Sequence, residues 1–143
     1  MALSHSSART QAKVDQACAI PFRRNSGRLE FCLITSSSGR WIFPKGFIDS
    51  GRSSDETALS EAFEEAGLRG RITGKPLGYY DVSKAGGTYT VMASLMEVKK
   101  CEKHWPEEDW RQRRWVSQDA ATELLAQPEL VKFLKAAAKR LSS

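Results

Sequence analysis

A chain of 143 residues, 41% hydrophobic and 27% charged, has the size and balance of one globular domain that buries about two-thirds of its unfolded surface. Its formal charge of +5 favours anionic partners such as phosphates, but no long Lys/Arg block points to nucleic acid. No apolar run approaches the roughly 20 residues of a membrane span, and Met1–Thr10 lacks the apolar centre of a signal peptide. The three cysteines (Cys18, Cys32 and Cys101) are odd in number and form no C-x-x-C pair, which argues for reduced thiols in a cytoplasmic setting.

The Ser/His/Ala-rich start, residues 1–12, is expected to be a flexible segment ahead of a single domain at 13–143. Lys13–Arg24 and Arg28–Thr35 read as strands joined at Asn25-Ser26-Gly27, a hairpin. In the second, Leu29, Phe31 and Leu33 share one parity and Cys32 and Ile34 the other. Trp41–Phe43 is a short strand. Arg69–Tyr80 reads as a strand interrupted at Gly74/Pro76, Lys84–Gly87 as a tight loop and Thr88–Val98 as a strand. Lys99–Trp110 is a polar loop, Arg111–Val116 a last strand. Ser117 caps a short helix to Leu125, and Pro128 opens a helix reaching Leu141 with Leu130, Val131, Leu134, Ala138 and Leu141 as its stripe.

Between the first three strands and the later ones lies the most specific stretch, Trp41–Leu68. Ser53 and Glu56 form a capping box, Asp55 and Glu56 suit the positive end of the helix dipole, and Gly67 is a stop. Ala58, Leu59, Ala62, Phe63 and Ala66 make one apolar face; Glu61, Glu64 and Glu65 fall on a neighbouring one. In a partly buried site such like charges at about 4 Å repel by roughly 4 kcal/mol before solvent relaxes. A divalent cation relieves that repulsion, and carboxylates are the hard oxygen ligands that Mg²⁺ prefers. A solvated acidic face is the bland alternative.

The stretch resembles the Nudix hydrolase box: Gly, five residues, Glu, seven residues, then Arg-Glu-aliphatic-any-Glu-Glu-any-Gly-aliphatic. Gly46, Glu61, Ala62, Glu64, Glu65, Gly67 and Leu68 fit in register. Arg52 stands where that pattern has its first Glu, and Ser60 where it has Arg. Trp41-Ile42-Phe43-Pro44-Lys45-Gly46, with Trp105-Pro106-Glu107 and Arg114-Trp115, looks most like the diphosphoinositol polyphosphate and diadenosine polyphosphate hydrolase branch. The mixed strands and three helices give an α/β or α+β domain; the resemblance adds an α/β/α sandwich around a central mixed sheet.

The resemblance also implies a chemistry: Mg²⁺- or Mn²⁺-dependent cleavage of a phosphoanhydride bond in a small phosphorylated substrate. Carried over by position, Glu61, Glu64 and Glu65 are the metal-binding and catalytic candidates, with Glu64 and Glu65 preferred as ligands and Glu61 as ligand or base. The Gly46 carbonyl completes the metal shell, and its lack of a Cβ permits close approach. Lys45 and Arg40 are the preferred phosphate contacts; Arg23, Arg24, Lys84, Arg111 and Arg113 resemble other basic positions of the branch. Glu107, Glu108 and Asp109 are candidates for a late-loop carboxylate. Because Ser60 cannot pair with the glutamates, Arg52 is expected to approach the helix from the loop side and replace the missing cation. The two broken positions leave a second class open, a Nudix-fold binding or regulatory module with weakened catalysis. A homodimer is compatible with either.

Overall fold

The computed structural model describes residues 13–142, so the N-terminal segment expected to be flexible lies outside the described residues. Strands β1 (Gln16–Asn25), β2 (Arg28–Thr35), β3 (Trp41–Ile42), β4 (Lys45–Phe47), β5 (Leu68–Lys84), β6 (Gly87–Cys101) and β7 (Arg113–Val116) form one mixed sheet. Its order is β3-β2-β1-β6-β5, with β4 added to β1 and β7 to β2. The β1–β6 pair is parallel, and every other pair is antiparallel. Helices α1 (Ser54–Ala66), α2 (Gln118–Leu124) and α3 (Pro128–Leu141) complete the chain.

The alternation of side chains along β1 and β2 decides which helix covers which face. A strand turns successive residues to opposite sides. Ala17, Ala19, Cys32 and Ile34 therefore pack with Ala58, Ala62 and Ala66 of α1. Cys18, Ile20, Phe22, Phe31 and Leu33 face the other way, onto Ala121 of α2 and Leu130, Phe133 and Leu134 of α3. The result is the expected α/β/α sandwich. The two layers are unlike: the α3 side is filled by large side chains, whereas α1 lies on the sheet through alanines on both partners. Small residues at that seam let the helix axis come close to β1.

Most expected elements are present, with three differences. Lys45–Phe47 adds a strand on β1 between the Trp41–Phe43 stretch and α1, because Gln16–Cys18 offers it an open ladder edge (Gln16 pairs with Phe47, Ala17 with Gly46 and Cys18 with Lys45). The strand after α1 runs on to Lys84, since the Gly74/Pro76 interruption is absorbed as a register shift between Thr73 and Gly78 and does not end the strand. On α3, Phe133 and Ala137 are buried, while Val131 and Leu141 are only half-buried.

The alanine seam gives a prediction. Ala62 is fully buried. Ala62→Leu overfills a close-packed contact and should cost about 1–3 kcal/mol, read as a lower urea midpoint with an unchanged slope.

Candidate functional site

Helix α1 is fixed at both ends by local chemistry. The Glu56 backbone N–H donates to Ser53 Oγ at 3.0 Å and the Ser53 N–H to Glu56 Oε1 at 2.9 Å, the expected capping box. At the other end Gly67 is left-handed, with φ of 67°, a conformation that favours glycine. Between these ends the register of the alanine seam rotates the three glutamates to different surroundings. Glu65 is buried, Glu61 is half-buried and Glu64 is exposed.

Glu61 and Glu65, one turn apart, converge over β4. A Cβ added to Gly46 would stand 2.6 and 2.7 Å from the two Glu61 carboxylate oxygens, so only glycine admits that side chain. Glu65 Oε1 accepts the Lys45 backbone N–H at 3.2 Å, and Oε2 faces Arg111 Nη2 at 3.6 Å. Burial pushes the Glu65 pKa up to about 9, and the neighbouring Glu61 carboxyl adds to the rise; Arg111 and the Lys45 N–H oppose it. Two carboxylates that meet in a half-buried place are compatible with a proton or a cation between them. Glu64, preferred as a ligand from its position in the sequence, does not join this pair as α1 is packed.

Three cations lie on or near β4 and the end of α1. Lys45 Nζ donates to Oε1 of the buried Gln16 at 3.1 Å. Burial lowers the Lys45 pKa, and the nearby Lys84 and Arg111 charges lower it further. Lys84 lies at the end of β5 with Nζ 5.6 Å from the Phe47 ring centre, and Phe47 meets Tyr89 edge-on at 5.0 Å. Arg111 is deeply enclosed. Its side chain is 10% exposed, its Nε is 2.6 Å from Glu107 Oε1, and its Nη1 donates to the Thr35 carbonyl at 2.8 Å.

The segment between β6 and β7, together with Arg113 at the start of β7, is a clamp on the end of α1. The Glu107 N–H donates to the Glu64 carbonyl at 3.1 Å, Trp105 Nε1 to the Glu65 carbonyl at 3.0 Å and Arg113 Nη1 to the Ala66 carbonyl at 2.8 Å. The Glu102 N–H reaches the Gly67 carbonyl at 2.8 Å. Of the late-loop carboxylates, Glu107 is brought to the box through Arg111, Glu108 pairs with His104 at 2.8 Å, and Asp109 is exposed.

Other sequence candidates are placed elsewhere. Arg23 pairs with Glu30 at 2.9 Å and stacks on Trp115 at 4.0 Å. It is six residues along β1 from the Ala17–Gly46 pair, about 20 Å at the rise of a strand, so the sheet does not bring it to the glutamates. Arg113 is committed to the Ala66 and Glu102 carbonyls and stacks on Trp105 at 4.0 Å, which makes it part of the clamp. Arg40 is exposed in the turn after Thr35, the residue whose carbonyl Arg111 holds. Arg52 does not replace a box cation: its guanidinium donates to the Glu56 carbonyl at 3.5 Å, in the first turn, and acts on Glu56 instead of Glu61, Glu64 or Glu65. Its position in an exposed loop before the cap holds it at that end of the helix. Gln16 was missed; its one sequence signal is a polar residue at the head of the apolar run Ala17–Phe22.

Among the described residues no three carboxylate, imidazole or thiolate ligands already converge on one point. Two carboxylates do, beside a backbone strand with no intervening Cβ. That donor set fits Mg²⁺ or Mn²⁺, since Mg²⁺ is commonly held by one or two carboxylates together with substrate phosphates.

A family model described as the NUDIX domain matches residues 13–137. The chain is similar to Nudix hydrolase 4 of Arabidopsis thaliana, at 35% identity over 100 residues, which are 67% of this chain and 47% of that protein. It is also similar to diphosphoinositol polyphosphate phosphohydrolase 3-alpha of Mus musculus, at 30% identity over 122 residues, 77% of this chain and 68% of that one. In fold it resembles the C. elegans Ap4A hydrolase binary complex, with a TM-score of 0.79 and 21% identity, covering 91% of this chain and 98% of the other. The chain thus spans about half the length of the Arabidopsis relative.

The raised Glu65 pKa has a defined sign in stability. Between the ordinary 4.5 and about 9, the folded metal-free protein keeps a proton that the unfolded chain has released. This contribution is complete below pH 4.5 and is lost as pH rises through about 9. In chelator, urea stability should therefore decline across that window, and Glu65→Gln should flatten the decline.

Proposed function

We propose that this chain, which belongs to the Nudix family, is a divalent-metal-dependent pyrophosphohydrolase that cleaves a phosphoanhydride bond in a small polyanionic substrate. The observation that carries this reading is the Glu61–Glu65 pair set against Gly46, with Arg111 facing Glu65 and with Lys45, next to Gly46 on β4, close enough to Lys84 to feel its charge. An acidic pair with cations nearby suits a bound metal and a phosphate chain together. Glu61 and Glu65, with the Gly46 carbonyl, hold Mg²⁺ or Mn²⁺, and Glu64 joins from the exposed side of α1. The metal supplies neutralisation of charge on the phosphoryl oxygens.

The chain's own groups do the rest. Lys45 and Lys84 bind phosphate oxygens beyond the scissile bond, and Arg40 extends that contact from the turn after β2. Gln16 orients Lys45 by holding its ammonium. Glu61, the less buried of the converging pair, orients the attacking water and takes its proton. Two of the similar proteins are by name a diphosphoinositol polyphosphate phosphohydrolase and an Ap4A hydrolase; the cations Lys45, Lys84 and Arg111 support substrates of that charge density. A cytoplasmic setting is part of the same reading, supported by three free thiols.

The test is a panel of diadenosine polyphosphates, diphosphoinositol polyphosphates, nucleotide sugars and nucleoside triphosphates, each with Mg²⁺, with Mn²⁺ and with chelator. Metal-dependent release of phosphate or mononucleotide from at least one is expected. Binding without hydrolysis across the panel would instead identify a ligand-binding module. On the substrate that turns over, Glu61→Gln and Glu64→Gln should each lower kcat roughly tenfold or more with the far-UV spectrum unchanged.

A further inference from the structure

Helix α1 is unusual in its charge. It carries Asp55, Glu56, Glu61, Glu64 and Glu65 and no basic residue. A carboxylate as buried as Glu65 needs a cation or a donor at each oxygen to keep one orientation. One oxygen has the Lys45 N–H. The other faces Arg111, which comes from the loop before β7 and not from the helix.

Arg111 is built to stay there. Its Nε is held by Glu107, its Nη1 by the Thr35 carbonyl, and its guanidinium lies 4.0 Å from the centre of the Trp110 ring. Only Nη2 is left to face Glu65. Glu107 is itself tied to α1 through its N–H bond to the Glu64 carbonyl. The guanidinium and the carboxylate that it faces are thus fixed to the same helix end by independent bonds. A side chain held at three points is poorly suited to swing out and follow a substrate.

We propose that Arg111 is the positioning cation of this site: held by Glu107, Thr35 and Trp110, it fixes the Glu65 carboxylate for metal binding before any substrate arrives. It supplies from a loop the charge that the helix lacks at Ser60, where Arg52 does not reach. This inference rests on the metal-site reading above and adds to it a residue that does not touch the reacting phosphate.

The experiment is a Mn²⁺ titration of the full chain without substrate, with free Mn²⁺ read by electron paramagnetic resonance. Arg111→Met should weaken Mn²⁺ binding about tenfold or more, the range for removing an outer partner of a metal ligand. Arg111→Lys, which keeps a charge near Glu65 but not the fork, should recover part of that loss. Glu107→Gln should weaken binding by a smaller factor, about threefold, because it removes one anchor and leaves the guanidinium. Mn²⁺ affinity within twofold of wild type in folded Arg111→Met, with KM raised instead, would overturn the proposal and make Arg111 a substrate contact. Should Arg111→Met fail to fold, unchanged Mn²⁺ affinity in both Arg111→Lys and Glu107→Gln would overturn it equally. Wild type that binds no Mn²⁺ would sink the metal-site reading itself, whereas binding unaffected by these changes sinks only the role of Arg111.

Discussion

The site depends on how the end of one helix is closed. A helix leaves its last four carbonyls without partners inside the helix, and a buried helix end must find them elsewhere. In α1 the Phe63 carbonyl is met by the Gly67 N–H, and those of Glu64, Glu65 and Ala66 by Glu107, Trp105 and Arg113. Backbone carbonyls of the two adjacent box glutamates are therefore anchored by a loop some forty residues further on. Each such bond contributes about 1 kcal/mol net, but leaving a buried partner unmet costs more, so the loop has little freedom to leave. The same loop then presents Glu107 and Arg111 to the acidic face. Capping and electrostatics are one construction.

The sheet supplies the other half of the geometry. Alanines on α1 and on β1 let the helix lie close, and β4 joins the edge of β1 at that place. Glu61 then meets backbone at Gly46 with no side chain between. A larger residue at Ala17, Ala19, Ala58 or Ala62 would lift the helix, and the carboxylate pair would separate from β4 without any change to the glutamates themselves. The coarse packing of the α1 layer thus acts directly on the distance that the chemistry needs.

Local signals were legible in the sequence, and long-range ones were not. The capping box, the Gly67 stop, the two parities of β2 and the register of the three glutamates all depend on residues within a turn or two of one another. Which two glutamates meet depended on the rotation of α1 about its axis, set by the alanine seam and not by charge. Spacing alone put all three glutamates on one face; that Glu61 is the one that meets Glu65 over Gly46 was not visible in it. Arg52 looked complementary to Ser60 because only their types were visible; its place before the cap keeps it at Glu56. The loop 102–112 has no periodicity to betray a partner, and its bonds to α1 and β2 span about forty to eighty positions. Arg23 and Arg113 are cationic for reasons of packing: each stacks on a tryptophan and satisfies a carboxylate or carbonyls.

The parallel seam between β1 and β6 has a consequence for how the molecule comes into being. Asp15 and Thr90, 75 residues apart, are bonded beside it, and β4 reaches the sheet only through β1. Contacts of such separation close late, because loop entropy must be overcome before they gain anything. During synthesis the acidic helix emerges long before β6 and the clamp loop do. The bonds from Glu107, Trp105 and Arg113 that close the helix end therefore come from chain made well after the glutamates. The arrangement of the acidic face thus depends on the strand and loop that come last to it in the chain.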